Sequence, residues 1–228
     1  MISRQRSRRL VDIAVSVGVL AALAPVFAIL ALLIWIFDGR PVLFRQWRVG
    51  QHGELFRILK FRTMSGGSGG AVTGAGDPRV TRLGRHLRRL KIDELPQFLN
   101  VLKGEMSLIG PRPEVPKFVD LQNESWRNVL QVKPGITDLA TLCFRNEEEI
   151  LAGAGNIESV YRRDVLPVKL RLNARYLAQR NWRTDLLLLW LTVCYSLFPK
   201  AFDQRRIAGF AGIPQRDLPR RRGKKLAV

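Results

Sequence analysis

A long apolar run near the N-terminus is the strongest feature of the hydrophobicity pattern. It extends from Leu10 to Phe37, and the polar side chains within it are Asp12 and Ser16. As one straight helix it reaches about 42 Å, which exceeds the ~30 Å hydrocarbon core of a bilayer. It is too long for the core of a signal peptide, and no small-residue cleavage site follows it. The default interpretation is a single transmembrane helix.

Two features of the same run favour a re-entrant helix, which enters and leaves the membrane by one face. Pro25 lies near its middle, where proline removes a helical hydrogen bond and forces a kink. Both flanks are basic, at residues 4–9 and 40–48, and the positive-inside rule places basic flanks on the cytoplasmic side. If two arms, Asp12–Ala24 and Pro25–Phe37, are joined at this kink, both basic flanks lie on the cytoplasmic side. The pattern by itself leaves both topologies open.

Alternation of apolar and basic residues predicts two half-buried strands after the membrane segment. They correspond to VLFRQWRVG and LFRILKFRTM, joined by a hairpin turn at Gly50–Gly53. Lys60 and Arg62, two positions apart, are predicted to point to one face, for which the plain interpretation is a solvated surface. The glycine-rich segment Ser65–Pro78 is predicted to be a loop that either closes over a substrate or serves as a connector.

The next region is predicted to be helical. A basic amphipathic helix is expected over Thr81–Leu90, either on an anionic membrane surface or on the core. Another is expected from Asp93 to Gly104, because the proline at position 96 fits only a first helical turn and glycine commonly ends a helix. The apolar stripe of this second helix is predicted to form one buried face; it consists of Leu95, Phe98, Leu99 and Leu102.

The C-terminal half predicts further helices around one short strand. Helices are expected within Val115–Val132, Asn156–Arg180 and Trp182–Phe202, and Lys133–Thr137 predicts a turn into a strand. The acidic run Glu147–Glu149 is expected to be solvated. The apolar part of the last helix is too short to span a bilayer, and its aromatic residues suit either a membrane interface or the protein core.

The charge composition favours polyanionic partners. The 228 residues carry a formal net charge of +19, with 38 Lys and Arg against 19 Asp and Glu. Such a surface attracts nucleic acid, anionic lipid or phosphorylated small molecules, and charge alone does not choose among them. Two distant cysteines indicate a reducing compartment and no thiolate metal site. With two histidines, a His-rich zinc site is excluded and a Ser-His-Asp triad is disfavoured.

Asp93 and Glu94 are the most distinctive polar pair in the chain. They stand at a predicted helix start, where free backbone N–H groups and the positive end of the helix dipole favour carboxylates. A well-capped helix is the plain interpretation. Because the surroundings are basic, both carboxylates are expected to stay ionised at neutral pH. An ionised Asp can attack phosphorus or hold a hard cation. The basic neighbours are Arg85, Arg88, Arg89, Lys91 and Arg112.

Residues 93–114, DELPQFLNVLKGEMSLIGPRPE, closely resemble the signature of the bacterial sugar transferases, also called monotopic phosphoglycosyl transferases. Four further blocks agree with that family in order: FRQWRVG at 44–50, KFRTM at 60–64, DPRVTRLGRHLR at 77–88 and KPGIT at 133–137. The family transfers a sugar phosphate from a nucleotide diphospho-sugar to a polyprenol phosphate. Its membrane helix is re-entrant and broken at a proline, so the resemblance favours re-entrance with the kink at Pro25.

The resemblance implies roles for individual residues. Asp93 is implied to be the nucleophile that forms an aspartyl-phosphosugar, with Mg²⁺ bound beside it. Glu94 is implied to handle protons or to activate the acceptor. The substrate-binding residues that the resemblance implies are Lys60, Arg62 and Arg88 near the phosphates, and Pro111, Arg112 and Pro113 at the nucleotide.

Together with the resemblance, the sequence predicts an α/β protein, mostly α, of monotopic membrane type. The expected divisions are a basic N-terminus and re-entrant helix (1–38), a catalytic domain with short strands and amphipathic interfacial helices (39–203), and a basic, disordered, lipid-attracted tail (204–228). The catalytic domain is expected on the cytoplasmic face of the bacterial inner membrane. Expected partners are a nucleotide diphospho-sugar, usually of uridine, polyprenol (undecaprenyl) phosphate and anionic lipids, with no nucleic acid. Whether the protein is a homodimer is left open.

Two rival functions remain beside this one. A membrane-anchored basic protein that binds lipid or nucleic acid without catalysis explains the charge, the apolar run and the tail, but not the ordered motifs. A nucleotide-sugar hydrolase would use water as the acceptor. The sequence leaves open the sugar and the glycan pathway, such as exopolysaccharide or lipopolysaccharide assembly. The chain departs from the family pattern at Asp138, Thr141 and Leu142, which weakens any assignment of the sugar. Related sequences often carry Asp at the position of Asn173, so no role is assigned to this residue.

Overall fold

The computed structural model describes residues 2–66, 72–151, 155–201, 203 and 207, and within them the protein is mostly helical with two small sheets. The predicted α/β, mostly α, class is confirmed at this level. Of the predicted tail 204–228, Ile207 is described and is buried in the core, and the other residues lie outside the described part.

The helices are α1 (Ile2–Ala22), α2 (Ala24–Asp38), α3 (Arg82–Arg89), α4 (Gln97–Lys103), α5 (Glu124–Val129), α6 (Leu139–Cys143), α7 (Glu147–Ile150), α8 (Ile157–Val160), α9 (Leu166–Ala178) and α10 (Trp182–Leu197). The strands are β1 (Leu43–Val49), β2 (Leu55–Phe61), β3 (Ser107–Ile109) and β4 (Gly135–Thr137).

The apolar N-terminal run forms two helices rather than one. The helices α1 and α2 are bent by 61° relative to each other, and the break falls at Leu23. Pro25 lies in the first turn of α2, where its missing N–H costs no helical hydrogen bond. The kink predicted at Pro25 is therefore present, displaced by two residues. Among the described residues, no single helix is long and apolar enough to cross a membrane, and the bent pair meets that test by length and composition.

The first half of α1 is joined to the rest of the chain by polar contacts. The Arg9 guanidinium donates to the backbone carbonyls of Val101, at 2.5 Å, and of Leu102, at 2.8 Å. These carbonyls belong to the C-terminal end of α4, which favours a cation. The buried Asp12 carboxylate accepts a hydrogen bond from the N–H of Leu108 in β3 at 3.1 Å. Asp12, one of the two polar residues in the apolar run, therefore has a partner within the protein.

The far end of α2 contacts the same part of the molecule. The Arg62 guanidinium donates to the backbone carbonyls of Asp38, of Gly39 at 2.7 Å and of Arg40 at 2.6 Å. The hydroxyl of Thr81, the residue that caps α3, donates to the Asp38 carboxylate at 2.9 Å. Both ends of the bent helix pair are thus fixed to the globular region.

The four strands form two small sheets that position the functional segments. The strands β1 and β2 make the predicted antiparallel hairpin, in which Phe44 lies opposite Lys60. The strands β3 and β4 pair in parallel, and their backbones come unusually close at two glycines. A Cβ on Gly135 would lie 2.0 Å from the backbone N of Gly110, so the contact requires glycine. This contact fixes the start of the turn that carries Arg112.

The buried face of α4 differs from the predicted stripe. Gln97, Asn100 and Val101 are buried, whereas Leu99 is 39% exposed. The Asn100 amide accepts from the Leu59 N–H at 3.0 Å and donates to a backbone carbonyl of the same strand at 2.8 Å. A polar residue thus faces inward because it satisfies the backbone of β2. The predicted stripe was therefore wrong at Leu99, whereas Phe98 packs against the main core and Leu95 and Leu102 are partly buried.

The main core lies between α5, α6, α9, α10 and β3. The helix predicted within Val115–Val132 is shorter than expected, because α5 covers Glu124–Val129 and a 3-10 turn occupies Pro116–Phe118. A π-helical turn at Tyr161–Val165 joins α8 to α9, so that the predicted helical stretch from Asn156 is nearly continuous.

Candidate active site

A 3-10 turn, Ile92–Glu94, connects α3 to α4 and carries both candidate carboxylates. It takes the place of the first turn of the predicted helix, so α4 itself begins at Gln97. Lys91, directly before the turn, adopts a left-handed conformation with φ of 60°, which is uncommon for a residue with a side chain. Asp93 is 6% exposed and Glu94 is 8% exposed. The two carboxylates are therefore buried at a sharp connection between two helices.

Glu94 is bound by two cations. The Arg112 guanidinium binds Glu94 in a bidentate manner: Nη1 donates to Oε2 at 3.1 Å, and Nη2 donates to Oε1. The Lys60 ammonium donates to Oε1 at 2.9 Å. Burial acts to raise the pKa of Glu94, but Arg112 and Lys60 outweigh it and hold the pKa well below its usual range. Glu94 therefore stays ionised in this arrangement, holds the two cations in place and is a weak base.

Asp93 has the opposite environment. Its Oδ1 atom is buried and has no hydrogen-bond partner in the described part of the chain. Burial first, and the adjacent Glu94 charge second, raise the pKa of Asp93 against the opposing effect of Lys60. The basic setting was expected to keep both carboxylates ionised; the pKa shift supports this for Glu94 and runs the other way for Asp93. An unpartnered buried carboxylate oxygen is costly, and it is available to a ligand or a reacting atom.

Lys60 lies on β2 with its ammonium group inside the cluster. Burial lowers the pKa of Lys60 to about 8, although the nearby Glu94 charge acts to raise it. A buried lysine with such a pKa can change its charge near physiological pH. The predicted proximity of Lys60 to the two carboxylates is present in the structure.

Arg112 is presented by the turn between β3 and the 3-10 turn at Pro116. Its backbone N–H donates to the buried Asp138 carboxylate at 2.6 Å, and the Gly135 N–H donates to the carbonyl of Pro111 at 3.1 Å. Burial acts to lower the pKa of the guanidinium, but Glu94 raises it further above its usual value. The turn between Pro111 and Pro113 therefore fixes a permanent cation against the Asp93–Glu94 pair.

The other two predicted phosphate-binding residues make their contacts with other groups. Arg88 forms an ion pair with Glu148 of α7. Its charge still acts on Asp93, where it lowers the pKa of the carboxyl group against the effect of burial. Arg62 binds the carbonyls at the end of α2, and the structure does not bring it to the carboxylates. The acidic run at 147–149 was expected to be solvated, and Glu149 is exposed. Glu148 is partly exposed and pairs with Arg88, whereas Glu147 pairs with the buried Lys169.

Four residues near the site were not predicted from the sequence. Asp138, noted as a departure from the family pattern, binds the backbone of Arg112. The partly buried Arg48 and Glu114 and the buried Tyr161 form a second polar group beside the same turn. The sequence signals for them are weak: Glu114 closes the recognisable motif, and Arg48 lies in the block at 44–50, but nothing local marks Tyr161.

The chain offers limited ligation for a metal. In the described part of the chain, no group of three or more His, Cys, Asp or Glu residues is placed to hold an ion. Asp93 supplies one carboxylate oxygen without a partner. Mg²⁺ commonly binds one or two carboxylates and completes its shell with waters and substrate phosphates. The donor set therefore fits a Mg²⁺ ion held jointly by Asp93 and a phosphorylated substrate.

Comparison with known proteins identifies the family. The sequence model of the bacterial sugar transferase family matches residues 3–199, so the chain belongs to this family. An undecaprenyl-phosphate glucose phosphotransferase of Komagataeibacter xylinus is 36% identical over 203 residues, which are 85% of this chain and 36% of that protein.

Two other relatives differ from this one in name and in length. A UDP-N-acetylgalactosamine-undecaprenyl-phosphate N-acetylgalactosaminephosphotransferase of Aeromonas hydrophila is 45% identical over 141 residues, 58% of this chain and 33% of that protein. The exopolysaccharide production protein ExoY of Sinorhizobium fredii is 34% identical over 159 residues, 62% of this chain and 70% of that protein. The chain thus spans about a third of the length of the first two curated relatives and more than two thirds of the third.

Proposed function

We propose that this protein transfers a sugar phosphate from a UDP-sugar to undecaprenyl phosphate, releasing UMP and forming undecaprenyl-diphospho-sugar. Family membership and the names of the relatives support this reaction class. The observation that carries it is the unpartnered Oδ1 of Asp93 beside a cluster of fixed cations. An anionic nucleophile needs such cations, because the donor diphosphate is itself negatively charged.

The transfer proceeds in two displacements at one phosphorus atom. A carboxylate oxygen of Asp93 attacks the phosphorus that bears the sugar, the bridging P–O bond of the diphosphate breaks, and UMP leaves. A phosphate oxygen of undecaprenyl phosphate then attacks the same phosphorus, and the bond to Asp93 breaks. The raised pKa of Asp93 indicates a carboxylate with little stabilisation of its charge, which favours its use as a nucleophile once a cation or substrate neutralises the site.

The neighbouring residues neutralise and orient the donor. Arg112 and Lys60 both bind Glu94 in this structure. When the donor binds, its phosphates would replace the Glu94 carboxylate as partners of these two cations. Glu94 therefore acts as an anchor that keeps the two cations in place between turnovers. This role differs from the proton transfer that the family resemblance implies for Glu94. Arg88 contributes through its charge, and a direct role of Arg62 in phosphate binding stays a prediction.

Mg²⁺ would be held by Asp93 and by the donor diphosphate, where it supplies charge neutralisation of the phosphate oxygens and of the leaving UMP. This assignment is supported by the free oxygen of Asp93. The chain's own contribution is to bury this carboxylate, whose Oδ1 has no hydrogen-bond partner among the described residues.

The acceptor places the reaction at a membrane, and the N-terminal helices supply the attachment. Leu10 is 68% exposed and Phe37 is 72% exposed, and many apolar side chains between them are also exposed, which is typical of a lipid-facing surface. Arg9 and Asp12 at one end and Asp38 at the other contact the same globular region. This supports a re-entrant helix pair that enters and leaves by one face, and hence a monotopic protein.

The remaining membrane contacts follow from the same geometry. The helix α10 exposes Leu186 and Trp190, which suit an interfacial position. Both flanks of the re-entrant pair are basic, so the globular region is assigned to the cytoplasmic face of the bacterial inner membrane, against anionic lipid. The pathway would be the first membrane step in assembling an exopolysaccharide or a related glycan.

One assay separates this function from its rivals. Purified full-length protein is given radiolabelled UDP-glucose or UDP-N-acetylgalactosamine, with and without undecaprenyl phosphate. The proposed transferase labels the lipid and releases UMP over many turnovers only when the acceptor is present. With donor alone it releases at most one UMP per protein, as the Asp93 adduct forms, whereas a hydrolase continues to release UMP. A lipid-binding protein without catalysis releases none from any donor in a wider panel.

A further inference from the structure

The turn that carries Arg112 is held on its entry side by the small parallel sheet. The Gly110 N–H donates to the Thr137 carbonyl at 3.1 Å, and the Arg112 N–H donates to Asp138 at 2.6 Å. These contacts fix the backbone up to Arg112, but they do not reach the residues after it.

A second set of contacts holds the exit side. The Arg48 guanidinium donates from Nη1 to the backbone carbonyl of Pro113 at 3.1 Å. The backbone N–H of Val49 donates to the Glu114 carbonyl at 2.9 Å. The Tyr161 hydroxyl donates to the Glu114 carboxylate, which also lies 3.9 Å from Arg48. Arg48 and Tyr161 therefore hold the residues that follow Arg112 from two different elements.

The surroundings of Tyr161 keep it in the donor form. Tyr161 is buried at the start of the π-helical turn. Burial first, and the charge of Glu114 second, raise its pKa well above the usual value. π-helical turns recur at functional sites, where they re-aim a side chain. The ring of Tyr161 also packs on that of Phe118, with centroids 5.1 Å apart, so its hydroxyl has a fixed direction.

We propose that Arg48 and Tyr161 are positioning residues for donor binding, which act through Arg112. They fix Pro113 and Glu114, so that the Arg112 guanidinium stays aimed at Glu94 and at the position of the donor diphosphate. This inference rests on the proposed function. It predicts that loss of either contact weakens donor binding while leaving the use of undecaprenyl phosphate unchanged.

The test uses Tyr161→Phe and Arg48→Met in the full-length protein. Tyr176→Phe is the matched control, because its hydroxyl also donates to a buried carboxylate, that of Asp185. Arg45→Met changes an exposed arginine on the same strand as Arg48. A hydrogen bond to a charged group corresponds to a change of about tenfold or more. We expect each test variant to raise KM for the UDP-sugar about tenfold and to leave KM for undecaprenyl phosphate within twofold, and both controls to change neither.

A second background separates positioning from general stability. In Arg112→Ala, the two substitutions should change donor affinity less than twofold, because the charged group that they position is gone. Donor affinity is measured by titration calorimetry as the Kd of UDP-glucose and of UDP-N-acetylgalactosamine, with Asp93→Asn added to every protein compared, so that the donor binds without forming the adduct. Equal effects in both backgrounds, or an equal rise in the KM for the lipid acceptor, would overturn the inference.

Arg48 and Tyr161 belong to different elements. If one variant fails to fold, the donor affinity of the other variant still tests the positioning role. Thermal unfolding of each variant identifies such a defect. Wild-type protein that binds UDP-sugars but fails to label undecaprenyl phosphate would count against the proposed function, while the affinity comparison would still decide the positioning role.

Discussion

The carboxylate of Asp12 accepts a hydrogen bond from the backbone N–H of Leu108 at 3.1 Å, across 96 positions of sequence. This bond joins the apolar N-terminal helix to the strand that leads into the Arg112 turn. The N-terminal helix is therefore joined through one buried contact to the strand that precedes Arg112, in addition to the contacts of Arg9 with the end of α4.

Asp12→Ala should destabilise the protein, because it leaves the Leu108 N–H buried without a partner. The expected loss is about 1–3 kcal/mol, or about 2–10 °C in Tm. Asp12→Asn keeps an acceptor oxygen and should retain most of the stability. Thermal unfolding in one detergent compares the three proteins. Equal Tm values for the Ala and Asn variants would show that this hydrogen bond does not hold α1 in place.

Asp93→Asn should abolish sugar-phosphate transfer by about 10³-fold or more, because the amide cannot act as the nucleophile. Membrane association and thermal unfolding should stay close to wild type, since the substitution keeps the shape of a buried side chain. Intact-protein mass spectrometry of wild type with donor alone should show a sugar-phosphate adduct on Asp93. Substantial turnover by Asp93→Asn would rule out the covalent route.

Activity should fall as the pH rises through about 8, where Lys60 loses its proton. The folded-state pKa lies below the ordinary 10.5, so between these values the unfolded chain binds more protons and stability rises with pH. Loss of activity in this window is therefore not loss of fold. Lys60→Arg, which keeps its charge, should move the alkaline limb of kcat/KM to higher pH. An unchanged limb in this variant would exclude Lys60 as its cause.

Chelation should stop the reaction if Asp93 and the donor hold Mg²⁺ together. EDTA is expected to abolish UMP release and added Mg²⁺ to restore it. The Kd of UDP-glucose should also weaken in EDTA for wild type, and less so for Asp93→Asn, because that variant lacks the proposed ligand. Full activity in excess chelator would remove the metal from the mechanism.

The N-terminus should lie on the same side of the membrane as the globular region. The measurement is labelling of Ser3→Cys by an impermeant thiol reagent, in a background with Cys143→Ser and Cys194→Ser. In sealed spheroplasts we expect no label until the membrane is permeabilised. Pro25→Leu should straighten the segment and increase labelling, and more so with Asp12→Ala, which releases the α1 contact. Labelling of the chain with Pro25 intact, in sealed spheroplasts, would refute re-entrance.

Local chemistry in the sequence determined several features of this protein. The kink near Pro25 follows from a missing N–H, the hairpin from period-two alternation and glycines at 50 and 53, and the end of α4 from Gly104, whose φ is 86°. The adjacent Asp93 and Glu94, with the motif around them, are sufficient to indicate the family and the class of reaction. Each of these signals lies within a few residues of the feature that it predicts.

Tertiary structure decided which cations meet which carboxylates. Lys60 and Glu94 are 34 positions apart, Arg112 and Glu94 are 18 apart, and Tyr161 and Glu114 are 47 apart. Arg62 has the same charge as Lys60 and lies two positions away, yet it binds the end of α2. Packing also set the opposite pKa shifts of the adjacent carboxylates, because burial raises the pKa of Asp93, whereas Arg112 and Lys60 outweigh burial and lower the pKa of Glu94. Such pairings depend on how distant elements pack, and no local pattern of residues specifies them.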